Sequence, residues 1–391
     1  MYQSYRHYSL SEQEWDPQRV SDIVDRIGQR TVKQWADHGA WWPHPLDDFN
    51  APPGLYIGAS GVVWALDALQ RGGAAVPPFD ARSVLLAELD SVREAGGKLP
   101  YSDNEPWLIG GTAPIHMLLY RLSEDPAHAD AVHEALSRNT EQPCRELMWG
   151  MAGSMIAAAH MHRLTGEARW GALFRAQAEK LLADARDSGP GLLWDIDLYR
   201  TVSPMLGLVH GFGGNISALA VGQDLLTPEM WGRVVEGACA TALETAEVSE
   251  GKANWPSVAG KECQKAYICH GAPGMIIALG GLPSRTELDT LLLQAGQLVW
   301  EAGAVRIGPS LCHGTAGNGY ALLKLFERSG DPLWLERARA FAMEACAQLE
   351  RTDALFQMPR CTLWTGDLGV ALFLQACLNG AGAFPTVEHS P

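Results

Sequence analysis

The chain has 391 residues, 47% hydrophobic and 19% charged, a composition that supports a large buried core and argues against disorder. A formal net charge of −15 with no compact Lys/Arg run makes nucleic acid a poor partner. No run of 18 apolar residues is present, and the opening twenty residues are polar and charged. Neither a membrane span nor a secretory signal is expected, and a cytoplasmic location is the natural expectation.

Residues 1–50 read as a helical lead-in. From residue 51 to about 380 one unit recurs: an apolar run, then G-x-x-G, then roughly three turns of apolar sequence. The copies begin at Gly58, Gly150, Gly211, Gly271, Gly314 and Gly366, with a degenerate one at Gly111 in which Pro114 replaces the second glycine. The intervals between residues 58 and 366 average about 51 residues, room for two helices and their loops. The stretch after each glycine pair is apolar on every face, which predicts a helix buried all round. The segments between copies, such as residues 168–187 and 331–351, carry charges at helical spacing and predict outer helices with one solvated face. Length alone would suggest two or three domains. The repeat predicts instead a single all-α domain over 1–391, an α/α toroid of about seven inner and seven outer helices. Strand and hairpin signals do not compete. The inner-helix N-termini place free N–H groups and positive dipole ends at one mouth, where chemistry is expected to gather.

Eight cysteines, Cys144, Cys239, Cys263, Cys269, Cys312, Cys346, Cys361 and Cys377, are scattered along the chain, which argues against a disulfide framework. Two of them stand apart. Cys269-His270 and Cys312-His313 each lie directly ahead of a G-x-x-G, in adjacent copies and in no other. Neighbouring copies would project both pairs into one mouth, and thiolate with imidazole suits Zn²⁺ better than Mg²⁺ or Ca²⁺. Spacing leaves open a closed four-ligand site or a three-ligand site with an open position. Adjacent side chains rarely reach one metal, which favours one pair giving both residues and the other only its cysteine.

His210 heads a third copy in the same manner and is the best candidate for proton transfer. Glu146, four residues before Gly150, either orients an imidazole or serves structurally, pairing with Arg145 or capping a helix. Lys265 and Arg306 precede the two cysteine motifs and are candidates to bind a substrate carboxylate or an enolate. Other features carry less. Asp195 and Asp197 are poorly spaced for a glycosidase pair. His160 and His162 face different directions on a helix. Ile216 breaks any dinucleotide fingerprint beginning at Gly211.

The seven units, with Cys269-His270-Gly271-Ala272-Pro273-Gly274 followed by Leu311-Cys312-His313-Gly314-Thr315-Ala316-Gly317-Asn318, resemble the lanthionine synthetase C-like family over nearly the whole chain. The resemblance implies a toroid with one zinc on Cys269, Cys312 and His313 and a fourth position open to a substrate thiol. It also implies catalysis by His210 and an acidic group near Glu146. His270 would lie outside the coordination shell as a further substrate-binding candidate, at a position where the peptide cyclases of the family often carry tyrosine and its glutathione-linked branch histidine. Ile268 departs from the family, which frequently has tryptophan there. The implied reaction is zinc-dependent thioether formation: a peptide cysteine or a small thiol such as glutathione adds to a dehydroalanine or dehydrobutyrine residue, which a separate dehydratase or kinase system prepares. The alternative is a non-catalytic zinc module that binds a peptide or protein in the barrel mouth. A glycosidase or epimerase would need paired carboxylates there and no metal.

Overall fold

The computed structural model describes the chain except residues 40, 42–43, 47–53, 95–110, 187–188, 190, 199 and 389–391. Among the described residues the helices alternate between two rings. The inner ring is α2 (Ala59–Arg71), α4 (Ala113–Ser123), α6 (Met151–Thr165), α8 (Phe212–Val221), α10 (Ala272–Gly280), α12 (Thr315–Ser329) and α14 (Asp367–Asn379). The outer ring is α1 (Pro17–His38), α3 (Ala81–Glu94), α5 (Pro126–Arg138), α7 (Ala168–Ala183), α9 (Pro228–Thr245), α11 (Thr286–Ala302) and α13 (Pro332–Phe356). Each inner helix packs on the next, and α14 packs on both α2 and α1, so the ring closes. This is the predicted toroid.

The two rings start their helices differently. Four outer helices open with an Asp or Thr cap before proline: Asp16, Asp125, Thr227 and Asp331 each accept from a backbone N–H of the first turn. Six inner helices are instead capped by the first glycine of each full motif, which has no side chain of its own to accept. The reason is steric. A Cβ on Gly274 would come 2.1 Å from the carbonyl oxygen of Ile268, and one on Gly317 would come 2.0 Å from that of Leu311. The loop before each helix folds back over the helix's first turn, and a glycine is what lets it approach. Crowding by the chain's own preceding loop, more than by neighbouring helices, explains the motif. Gly211 and Gly271 add a second demand, with φ of 135° and 100°.

Outer elements also secure the inner ring. Glu88 of α3 is buried and accepts from Ala59 N (2.7 Å) and Ser60 N (2.9 Å), capping α2 from outside. At the end away from the glycines, Lys324 of α12 is buried between Glu388 (2.6 Å) and Glu327 (2.7 Å). The segment after α14 packs Phe384 against Tyr320 and Trp364.

Two expectations need revision. Among the described residues of 1–50, α1 is the one α-helix; the first ten hold a 3₁₀ turn at Ser4–Arg6 and a strand, β1 (His7–Tyr8). Short antiparallel ribbons are also present: β1 with β6 (Ala304–Val305), β2 (Ile196–Leu198) with β3 (Thr201–Ser203), and β4 (Glu247–Ser249) with β5 (Lys252–Asn254). Strands of two or three residues are too short to show alternation in sequence. Asp195 and Asp197 belong to the β2 region, where Asp195 pairs with Arg186 at 3.1 Å.

Candidate functional site

The tight turn before each of the six inner helices with a full motif holds the residues one and two places ahead of the first glycine over the mouth. Those places are filled by Tyr56-Ile57, Met148-Trp149, Val209-His210, Cys269-His270, Cys312-His313 and Trp364-Thr365. The polar members cluster. One ligand atom each from Cys269, Cys312 and His313 lies within 4.8 Å of the others, a span one ion with bonds of about 2.0–2.3 Å can bridge. The two Sγ atoms are 2.9 Å apart, and both cysteines are free and buried.

Burial opposes a thiolate at both sulfurs. At Cys312 that penalty is outweighed by a hydrogen bond from Cys269, the charge of His313 and the Tyr56 hydroxyl, which hold its thiol well below the usual range. Burial and the neighbouring sulfur push Cys269 the other way. The resulting Cys312 thiolate, working against burial, raises the His313 imidazole. The Tyr267 ring meets His313 edge-on at 4.9 Å and fixes its plane. A soft sulfur pair with an adjacent imidazole is the donor chemistry of zinc.

Beside the sulfurs stands a second assembly. His210 Nδ1 and Glu146 Oε2 are 2.6 Å apart. Glu146 is fully buried, and its other oxygen accepts from Trp149 N. Of the roles open to Glu146, the structure shows both orienting an imidazole and capping its own loop; Arg145 pairs instead with Asp184. Cys144 also approaches Glu146, at 3.6 Å, and burial followed by that carboxylate pushes its thiol far up. His270 lies between the assemblies, its ring 6.2 Å from that of His210. Burial first, then the charges of Lys265, His210 and His313, bring His270 down to about 3, so it is a neutral imidazole near pH 7. Its Nδ1 is buried without a hydrogen-bond partner among the described residues.

Lys265 is half-buried, and its charge acts on Cys269, His270 and His313. Arg306 is elsewhere. It is exposed, stacks over the Tyr8 ring at 5.3 Å, and lines a cleft with Ile307, Gln348 and Arg351. The charge that reaches the site in its stead is that of Arg6, which acts on Lys265, Tyr267 and His313. Arg6 is carried there by the N-terminal arm: its carbonyl accepts from Arg306 N (2.9 Å), and Gln3 N donates to Gln264 O (3.0 Å).

Two contributors were missed by sequence reasoning, Arg6 and Tyr56. The Tyr56 hydroxyl is 3.0 Å from Cys312 Sγ. Aligning the copies on their glycines would have placed Tyr56 at the cysteine position of the first copy. Nothing local marks Arg6.

The mouth residues sit in a chain whose family can be decided directly. The model of the lanthionine synthetase C-like protein family matches residues 7–388. The chain belongs to that family. Within it, the chain is 36% identical over 125 residues to the glutathione S-transferase LANCL1 of Danio rerio, covering 31% of this chain and 30% of that protein. It is 37% identical over 99 residues to the LanC-like protein GCL1 of Arabidopsis thaliana, covering 24% and 22%. The matched segments thus span less than a third of either relative. Among solved structures, nisin cyclase aligns with a TM-score of 0.63 at 14% identity, over 92% of this chain and 94% of that one, which supports the shared lanthionine synthetase C-like fold. No helix among the described residues is long and apolar enough to cross a membrane.

Proposed function

We propose that this lanthionine synthetase C-like chain holds one zinc ion through Cys269, Cys312 and His313 and adds a thiol across the double bond of a dehydroamino acid. The observation that carries the reading is the pairing of a three-ligand sulfur–imidazole cluster with a buried His210–Glu146 couple in the same mouth. Held by Cys269, Cys312 and His313, zinc would supply the positive charge that makes a substrate thiol acidic at neutral pH while leaving its sulfur nucleophilic.

The remaining chemistry belongs to the chain. With Glu146 accepting at Nδ1, the other nitrogen of His210 becomes the one that exchanges a proton. It takes up the thiol proton. As sulfur bonds to the β-carbon, the C=C π pair moves onto the α-carbon and its carbonyl oxygen. His210 then returns the proton to the α-carbon and is regenerated. Lys265 and Arg6 bring two positive charges to this end of a chain with net charge −15, which suits a developing enolate oxygen or a substrate carboxylate. The acceptor is a peptide or protein bearing dehydroalanine or dehydrobutyrine, and the donor is a peptide cysteine or a small thiol such as glutathione.

Elemental analysis of protein purified without chelator should find about one zinc per chain, and Cys312→Ser should lose it. Incubated with glutathione and a dehydroalanine peptide, the zinc-loaded protein should raise the peptide's mass by that of the thiol. A cysteine-containing acceptor would instead keep its mass and lose a titratable thiol. Absence of zinc, or zinc with neither product, overturns the reading.

A further inference from the structure

Closure of the ring has a chemical result at the sulfurs. The mouth loops of the sixth, seventh and first copies are joined edge to edge: Cys312 N donates to Trp364 O, and Trp364 N donates to Tyr56 O, both at 3.0 Å. The Tyr56 ring rests on Trp364 at a centroid distance of 5.7 Å. That seat directs the Tyr56 hydroxyl across the seventh copy to Cys312 Sγ at 3.0 Å. Cys312 therefore takes a donated hydrogen from a residue some 250 positions away. Among the described contacts of Cys269 Sγ, the counterpart is only the other cysteine.

This asymmetry bears on a hazard of the thiol addition proposed above, and its meaning rests on that reading. Two protein thiolates and a substrate thiolate would share one metal, and all three are sulfur nucleophiles of the same kind. Burial of Cys269 and Cys312 keeps them from reagents in bulk water, but an acceptor drawn into the mouth is already past that barrier. If Cys312 attacked it, an S–C bond would form, the π pair would move to the α-carbon and take a proton from water, and the enzyme would be alkylated. A charge-assisted hydrogen bond draws electron density from a thiolate and lowers its nucleophilicity. We propose that Tyr56 is a positioning residue that guards Cys312: its hydroxyl holds this sulfur as a metal ligand and makes it a poorer nucleophile than the substrate thiol.

The test uses cobalt-substituted full-length protein with tyrosine, phenylalanine (Tyr56→Phe) or 3-fluorotyrosine at position 56. Thiolate-to-cobalt charge-transfer absorption should move to lower energy in Tyr56→Phe and to higher energy with the more acidic fluorophenol. Zinc-loaded protein given N-acetyl-dehydroalanine methyl ester without thiol should form a Cys312 adduct, mapped by mass spectrometry. Formation should be about tenfold faster in Tyr56→Phe, the rate equivalent of one such hydrogen bond. The fluorotyrosine protein is nearly isosteric and keeps the comparison open should Tyr56→Phe not fold. Spectra and adduct rates that do not follow phenol acidity overturn the guard role. Failure of the tyrosine protein to bind cobalt would instead overturn the metal reading beneath it.

Discussion

The two ends of the barrel handle buried polar groups in opposite ways. At the far end Lys324 sits between Glu388 and Glu327, each charge matched by a near neighbour. At the mouth two sulfurs face each other at 2.9 Å, His270 Nδ1 lacks a described partner, and Lys265 and Arg6 stand near one another as like charges. A compensated cluster stabilises a fold, whereas an uncompensated one raises the fold's energy unless a ligand completes it. The mouth also holds the paired His210–Glu146 couple, so what distinguishes it is the remainder that stays uncompensated beside that pair.

Substitutions at the two ends should therefore fail in different ways. Lys324→Met strands Glu388 in the interior and should lower unfolding free energy by about 3–5 kcal/mol, measured by urea melts. Turnover per folded molecule should be unchanged, and adding Glu388→Gln should recover much of the loss. His210→Ala should do the reverse, keeping zinc and melting behaviour while addition slows by roughly 10²-fold. Glu146→Gln should slow it by about 10-fold or more by weakening control of the imidazole. Equal stability losses in the Lys324 and His210 variants would erase the contrast. Loss of zinc in His210→Ala would move that residue into the coordination shell.

A further expected effect concerns pH. Burial pushes the Glu88 carboxyl up to about 7, although the N–H groups of Ala59 and Ser60 pull it down. The folded chain then holds this proton more tightly than the unfolded one, whose carboxyl titrates near 4.5. The stabilisation is complete below that value and is lost as pH rises through about 7, on the order of 3 kcal/mol. Asp367, also raised to about 7 by burial, contributes in the same direction. Glu88→Gln should flatten the fall in stability between pH 5 and 7 without abolishing it. A parallel pH profile in the variant would show that Glu88 remains ionised in the native state.

Most of the ring was readable because its determinants are local. The carbonyl six residues before Gly274 or Gly317 leaves room for no side chain, so the motif recurs at six of the seven inner helices, α4 with Pro114 being the exception. Cys269, Cys312 and His313 were visible because they lie directly on that motif. Tyr56 lies on it too, but its meaning depends on which copies become neighbours when the ring closes. Arg6 is further still from local reading. It reaches His313 through a two-residue strand pairing, His7 with Val305 and Tyr8 with Ala304, which leaves no periodic trace. Arg306 was singled out by its place before Cys312, yet the β6 backbone turns its side chain to Tyr8.

The hydrogen bond from Trp364 N to Tyr56 O also sets a timetable. Synthesis runs from the N-terminus at about 5–20 residues per second, so Tyr56 leaves the ribosome roughly 15–60 seconds before its partner. Throughout that interval α2, apolar on nearly every face, has no α14 to cover it. The nascent chain is thus an open arc with a sticky leading edge, and the Tyr56 hydroxyl cannot be seated against Cys312 until the last copy brings Trp364. A cell making this protein quickly should need chaperone capacity in proportion to the rate of synthesis.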